Sequence, residues 1–270
     1  MIIAASFDVK NPELWVNRGL SYGDGLFETM RLAQNRIPLL AYHLKRLAKG
    51  LNQLQLNGFD RLIIDNVLLN KPESDQQAVV KLLVFRANQA RTYTPLTRDV
   101  EWLITLEELP QTQVINPLKM TVSAQAISQQ PLLAGIKHLS RLEQVMLAAE
   151  LNQLKKIDDL LLVDAKSRVI ESSYQNVVMI KDQQLFTPKL NKSGVKGVAL
   201  QWLKNNYVVK VKHIKVEDLN VYDGMMVCNS IRGFRMVALI EQSKKQCISF
   251  GTKHHIHDKI TAQWNKLFDS

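Results

Sequence analysis

The chain has 270 residues, 46% of them hydrophobic, and a formal net charge of +10 at pH 7. That length suffices for one large domain or two modest ones, and no apolar run approaches the ~20 residues needed to cross a bilayer, so no membrane partner is expected. Its two cysteines, Cys228 and Cys247, come without CxxC spacing or a Cys/His cluster, which argues against a disulfide framework or a structural zinc site and fits reduced thiols in the cytoplasm.

The first nine residues, Met1–Val9, are too short for a secretory signal and read as a short strand up to Asp8. Glycines at 19, 23 and 25 then precede a β-type run to Leu32, and suggest close backbone approach or turn geometry. Leu40, Leu44, Leu47, Leu51 and Leu54 recur at spacings of four and three, which predicts an amphipathic helix. A second helix is expected over Arg61–Leu69. Val79–Arg86, Val100–Leu106 and Leu118–Ala124 read as strands, rich in β-branched and apolar residues. The polar segment 125–133, with Gln129-Gln130-Pro131, reads as a linker between a domain of residues 1–124 and one of residues 134–270.

Leu139, Leu142, Met146 and Ala149 predict another helix. Short strands follow at Leu160–Val163, Val169–Glu171, Val177–Ile180 and Leu185–Thr187, with tight turns such as Lys181-Asp182-Gln183. A helix opening near Gly197 and running through Trp202 precedes a strand over Tyr207–His213. Met225–Cys228 and Met236–Ile240 read as strands and Ile256–Phe268 as a helix. The fold class is α+β, two domains of mixed sheet with helices. The lysines and arginines are spread along this pattern instead of forming a block. With no zinc-finger spacing, RNP-like aromatics or basic arm, the charge reads as a soluble basic surface and not a nucleic-acid footprint.

Few residues stand out for chemistry. Lys137 sits in apolar surroundings just before a helix. A lysine drawn into a cleft there loses solvation, which favours the neutral amine needed for imine formation. The same lysine can equally snorkel to the surface. Glu171 ends an apolar strand, where a carboxylate either holds a pyridinium nitrogen protonated or faces water from an edge. Ser172 and Asn176 nearby are ordinary turn and cap residues unless a ligand is present. Gly194-Val-Lys-Gly-Val-Ala199 opens a helix, and helix N-termini bind phosphate, although GxxxxGK[ST] is absent and ordinary turns look the same. Arg46, beside the apolar stripe of its helix, either reaches inward to a phosphate in bidentate geometry or lies on a solvated face. His254, His255 and His257 hint at metal ligation, but only Asp258 accompanies them, so a solvated surface and no metal site is expected.

Four separated blocks, taken together, resemble the fold type IV pyridoxal-phosphate enzymes, the group of D-amino acid and branched-chain aminotransferases and aminodeoxychorismate lyases. They are Tyr22-Gly-Asp-Gly-Leu-Phe-Glu28 with His43-x-x-Arg46-Leu47; Lys137 within Leu133–Val145; Asp164 through Val169-Ile-Glu171 to Asn176-Val177; and Gly194 to Ala199 followed by Cys228-Asn-Ser-Ile-Arg-Gly233. The lysine block and Cys228-Asn229 are most similar to the lyase branch. The resemblance implies a homodimer with pyridoxal 5'-phosphate in the cleft between two mixed α/β domains. It implies Lys137 as the cofactor's covalent carrier and Glu171 as partner of the pyridine nitrogen. Arg46, the amides of Val198 and Ala199, Asn229 and Ser230 would surround the phosphate, with Asn176 in the same set. Arg91 falls where the group places a substrate-carboxylate arginine. Phe27 and Tyr93 occupy substrate positions, where D-amino acid aminotransferase has a tyrosine and a histidine. Ala199 replaces a hydroxyl residue, so its contact would be backbone only. Thr29 is a candidate for positioning a proton-carrying water. The implied reaction converts aminodeoxychorismate to 4-aminobenzoate and pyruvate; a D-amino acid or branched-chain aminotransferase on the same fold is the alternative. A non-catalytic basic nucleic-acid-binding or scaffold protein is the second alternative, one that composition alone does not exclude.

Overall fold

The structure is a computed structural model that describes residues 1–11, 16–69, 77–87, 92–110, 117–243 and 246–269. The chain forms two compact units. One comprises Met1–Gln111 with Ile136–Arg141 and Phe268–Ser270, and the other Thr112–Gly135 with Leu142–Leu267.

In the first unit, strands β1 (Ile2–Ala5), β2 (Gly25–Ala33), β3 (Gln77–Arg86) and β4 (Val100–Glu108) form an antiparallel sheet of order β1-β4-β3-β2. Helices α1 (Arg18–Tyr22), α2 (Leu40–Gln53) and α3 (Leu62–Leu69) complete it. Along β2, Leu26, Glu28, Met30 and Leu32 are buried. Phe27, Thr29 and Arg31 alternate with them on the opposite face, as the two-residue strand period requires. Helix α2 covers the buried face along His43, Leu47 and Gly50, a line one step around from the leucine stripe. A Cβ at Gly50 would lie 2.7 Å from Leu26 Cδ1, so only glycine permits that approach.

The segment 136–141 adds to the β2 edge. Phe27 N donates to Lys137 O at 2.9 Å and Leu139 N to Gly25 O at 2.9 Å, and Leu26 and His138 form an isolated bridge. Leu139 is therefore extended, and α4 begins only at Leu142 (Leu142–Asn152).

The second unit holds β5 (Leu118–Val122), β6 (Asp159–Val163), β7 (Val169–Ser172), β8 (Asn176–Lys181), β9 (Gln184–Pro188), β10 (Val209–Lys212), β11 (Gly224–Asn229), β12 (Gly233–Ser243) and β13 (Gln246–Ser249). Their order is β10-β9-β8-β11-β12-β5-β6-β7, with β13 on β12. β7 ends this path while β8, only a short turn later in sequence, lies near the other end. The sheet must curl to bring them together. Its core gathers Met120, Leu161, Val177, Met179, Met225, Val227, Val237 and Ile240. Helix α5 (Val198–Asn206) and helix α6 (His255–Asp269) flank it.

These units divide the chain differently from the expected 1–124, 125–133 and 134–270. β5, assigned by sequence to the first domain, pairs in parallel with β6 and β12. Residues 125–133 belong to the second unit because their backbone is bonded there, Ile127 N to Val163 O and Gln130 N to Lys192 O. Lys137 belongs to the first unit through its ladder with β2. At the far end of the chain, Phe268 joins that unit too, its ring 4.3 Å from the Arg31 guanidinium.

Candidate active site

In the first unit, Lys137 Nζ lies 4.2 Å from the centroid of the Phe27 ring, and the Arg141 guanidinium lies 5.9 Å from the same ring. The contact arises because the 136–141 ladder runs beside the face of β2 that carries Phe27 and Thr29. Lysine over an aromatic face is worth about 0.5–2 kcal/mol depending on desolvation, enough to favour one rotamer of a flexible side chain. His138, next along the ladder, is buried and its Nδ1 meets no partner among the described residues. Burial, then the charges of Arg141 and Lys137, pull its pKa down to about 4, so it is neutral at physiological pH.

On the buried face of β2, Glu28 is 2% exposed. Its Oε1 accepts from Arg46 Nε at 2.8 Å, and its Oε2 accepts from Arg46 Nη2 and lies 2.7 Å from His43 Nδ1. Burial alone would raise the Glu28 pKa, but Arg46 and His43 outweigh it and hold it at about 2. Arg46 is thus neither solvated nor unattached. Asp24 takes the Nε donors of both Arg18 and Arg86 at 2.8 Å, and its pKa is lowered because those two pairs overcome the cost of burial. Arg18 also donates to the carbonyls of Thr92 and Tyr93, fixing the backbone next to position 91. Tyr93 itself is 86% exposed, its ring 5.5 Å from that of Tyr22. Arg91 lies outside the described residues.

In the second unit, Glu171 is buried on β7 and its Oε2 accepts from Val195 N at 2.9 Å. It is therefore not a water-facing edge residue. Asn176, at the start of β8, clamps the same loop, its Oδ1 accepting from Gly197 N at 2.9 Å and its Nδ2 donating to Val195 O at 2.8 Å. A Cβ at Gly197 would sit 2.0 Å from Asn176 Oδ1. Gly197 caps α5 in an extended conformation, without a side-chain cap bond and without an acidic residue in the first turn. Val198 and Ala199 open that helix with their side chains buried. Glu171, Asn176, Val198 and Ala199 are thus brought together by the 194–197 loop. Asn229 is turned onto its own loop, its Oδ1 accepting from Ile231 N and Arg232 N, with Ser230 half-buried between them.

Residues that the sequence reading passed over include Glu28, and also Asp159. The latter is fully buried and accepts from Leu160 N, Ser173 N and Gln175 Nε2. It anchors the turn that follows Glu171, and burial raises its pKa. For Glu28 the available signal was an acid in phase with Leu26, Met30 and Leu32. Arg232 stacks on Tyr174 at 5.4 Å. Among the described residues no group of His, Cys, Asp and Glu could hold a metal ion, and His257 instead contacts Asp258 and Thr261.

The amino-transferase class IV family model matches residues 25–240. An aminodeoxychorismate lyase of Vibrio harveyi is 30% identical over 233 residues, covering 82% of this chain and 85% of that protein. The crystal structure of 4-amino-4-deoxychorismate lyase from Pseudomonas aeruginosa superposes with a TM-score of 0.84 at 27% identity, over 99% of this chain and 97% of that one. A hypothetical aminotransferase from Mycobacterium tuberculosis in its PLP-bound form shares the fold, with a TM-score of 0.77 at 17% identity over 98% and 94% of the two chains. With the model matching from the start of β2 into β12, the chain belongs to the amino-transferase class IV family.

Proposed function

We propose that this chain is a pyridoxal-phosphate-dependent lyase that splits 4-amino-4-deoxychorismate into 4-aminobenzoate and pyruvate. The observation that carries the reading is its similarity to two such lyases along nearly the whole chain. Inside that frame, a lysine amine lies against the Phe27 ring.

The residues present suit the cofactor. Phosphate is met by helix N-termini whose amides lack side-chain caps, and α5 offers such an end with no acid to repel it. A buried carboxylate such as Glu171 suits a protonated ring nitrogen. A primary amine at Lys137 suits an aldehyde. Pyridoxal phosphate, when bound, draws electrons from the carbon that carries the substrate's amino group. Lys137 Nζ would hold the cofactor covalently at rest; once the substrate's amine displaces it, it would take the proton from that carbon and deliver it to the methylene carbon of the enolpyruvyl group, which leaves as pyruvate when the ring C–O bond breaks. Glu171 keeps the ring nitrogen protonated, steadied by Val195 N. Arg46, the Val198 and Ala199 amides, Asn229 and Ser230 hold the phosphate, and Asn176 holds the loop that presents those amides. Phe27 walls Lys137 and brings no hydroxyl of its own, which leaves Lys137 as the proton carrier at that face. Thr29, two residues on along the same face of β2, positions a water or the cofactor. Arg91 and Tyr93 serve the substrate carboxylates.

The enzyme is proposed to act as a cytoplasmic homodimer, with no nucleic acid or membrane among its partners. Exposed Leu142, Val145 and Met146 on α4 support self-association, and two unpaired cysteines support a reducing compartment. The reaction is tested by supplying 4-amino-4-deoxychorismate and following pyruvate and 4-aminobenzoate, which should appear in equal amounts. If neither forms, while a D-amino or branched-chain acid with 2-oxoglutarate yields glutamate, the chain is an aminotransferase instead.

A further inference from the structure

Strand β2 and helix α2 meet around three side chains whose arrangement exceeds what packing requires. Glu28 spends both carboxylate oxygens on the Nε and Nη2 of Arg46, which is the side-on edge of the guanidinium. The end-on edge, formed by Nη1 and the outer hydrogen of Nη2, is not used by Glu28, and it matches the spacing of two phosphate oxygens. His43 is 1% exposed, and its Nε2 meets no partner among the described residues. Its bond to Glu28 is therefore the polar contact that accounts for an imidazole at this depth. A carboxylate only accepts, so the imidazole proton sits on Nδ1 and is donated to Glu28 Oε2. His43 and Arg46 are three residues apart on one helix face, so α2 and β2 jointly fix the guanidinium in angle and in reach.

We infer that Glu28 and His43 are positioning residues that hold the Arg46 guanidinium aimed at the cofactor phosphate, and thereby set how firmly the protein retains its cofactor. This rests on the assignment of Arg46 to the phosphate. Without Glu28, the long arginine side chain samples many rotamers and must be ordered by the ligand. Without His43, the carboxylate loses the donor that stops it from swinging out of register.

The test uses wild type, Arg46→Ala, Glu28→Gln, His43→Leu and His43→Asn. Each is stripped of cofactor and reconstituted with pyridoxal 5'-phosphate or with pyridoxal, and affinity is read from visible absorbance. Glu28→Gln and His43→Leu should each weaken binding of the phosphorylated compound about tenfold, by analogy with partners that orient metal ligands, while leaving pyridoxal unchanged. His43→Asn, whose amide nitrogen can stand where Nδ1 stands, should restore most of the loss. If either apolar or neutral variant no longer unfolds cooperatively, Glu28→Asp and His43→Asn decide, the former expected to lose phosphate selectivity and the latter to keep it. An equal loss for both compounds, or a selective loss confined to Arg46→Ala, overturns the positioning role. Failure of Arg46→Ala itself to discriminate the two compounds overturns the phosphate assignment, and the positioning role with it.

Discussion

Lys137 and its neighbour His138 are one position apart and turn to opposite faces of the ladder. Lys137 Nζ rests on the Phe27 ring, whereas the imidazole is buried and kept neutral. Lys137→Ala should abolish lyase turnover, by at least ~10³-fold if the amine both carries the cofactor and moves the proton, and should remove the visible absorbance of the purified protein. Normal turnover in that variant would refute the assignment. For His138 the folded pKa, about 4, lies below the unfolded value near 6.5. Its contribution to stability is therefore complete above about pH 6.5 and is lost as the pH falls towards about 4. Thermal unfolding followed across that window should show a midpoint that declines with acid, and a shallower decline in His138→Gln. Buried His43, also shifted downward, contributes in the same direction and keeps the variant's slope from vanishing. At this scale the sequence was partly legible. Roles for Lys137 and Glu171 could be proposed from residue type and motif, but the pairing of Arg46 with Glu28 could not, because it joins a strand to a helix 18 residues on.

Elements were read well where periodicity is clean, and poorly where tertiary bonding overrides it. The leucine stripe of α2 predicts a helix over the right residues, yet the deepest line runs through His43 and Gly50, neither of which a hydrophobicity count selects. Leu139 fits the period of α4 but lies in the ladder against Gly25, since a backbone hydrogen bond there outweighs helical propensity. Gly25 is where that ladder is most exacting. A Cβ would lie 2.4 Å from Val84 O and 2.8 Å from Leu139 Cδ1, so β3 and the lysine segment must both retreat. Gly25→Ala should lower stability by about 1–3 kcal/mol, as overpacking typically does, and should impair turnover more than a surface substitution of equal stability cost. Denaturant unfolding alongside the lyase assay would check both; an unaltered midpoint would show that the strand accommodates the methyl.

For the whole molecule, the order of predicted elements pointed to the α+β class and the blocks to the family, while the compact units have bounds other than 1–124, 125–133 and 134–270. Polar residues at 125–133 mimic a linker, whereas Ile127 is buried and bonded to β6. Sequence cannot show which polar stretches have their backbone satisfied by a neighbouring strand. Nor does it tell an outward apolar face from an inward one. Leu142, Val145 and Met146, spaced as one helical face, are 71%, 62% and 66% exposed, which is unusual for a face meant for water. If α4 packs against a second copy, wild type should sediment as a dimer and Val145→Lys with Met146→Lys should shift it towards monomer. A wild-type monomer at micromolar concentration would remove α4 from consideration.

The loop between Gly194 and Gly197 carries a kinetic consequence. Val195 and Gly197 give their amide hydrogens to Glu171 on β7 and Asn176 on β8, so solvent deuterium reaches each site only when its own stitch parts. Even before any ligand arrives, these two amides should exchange with the slow clock of the sheet and not with the fast clock of a surface turn.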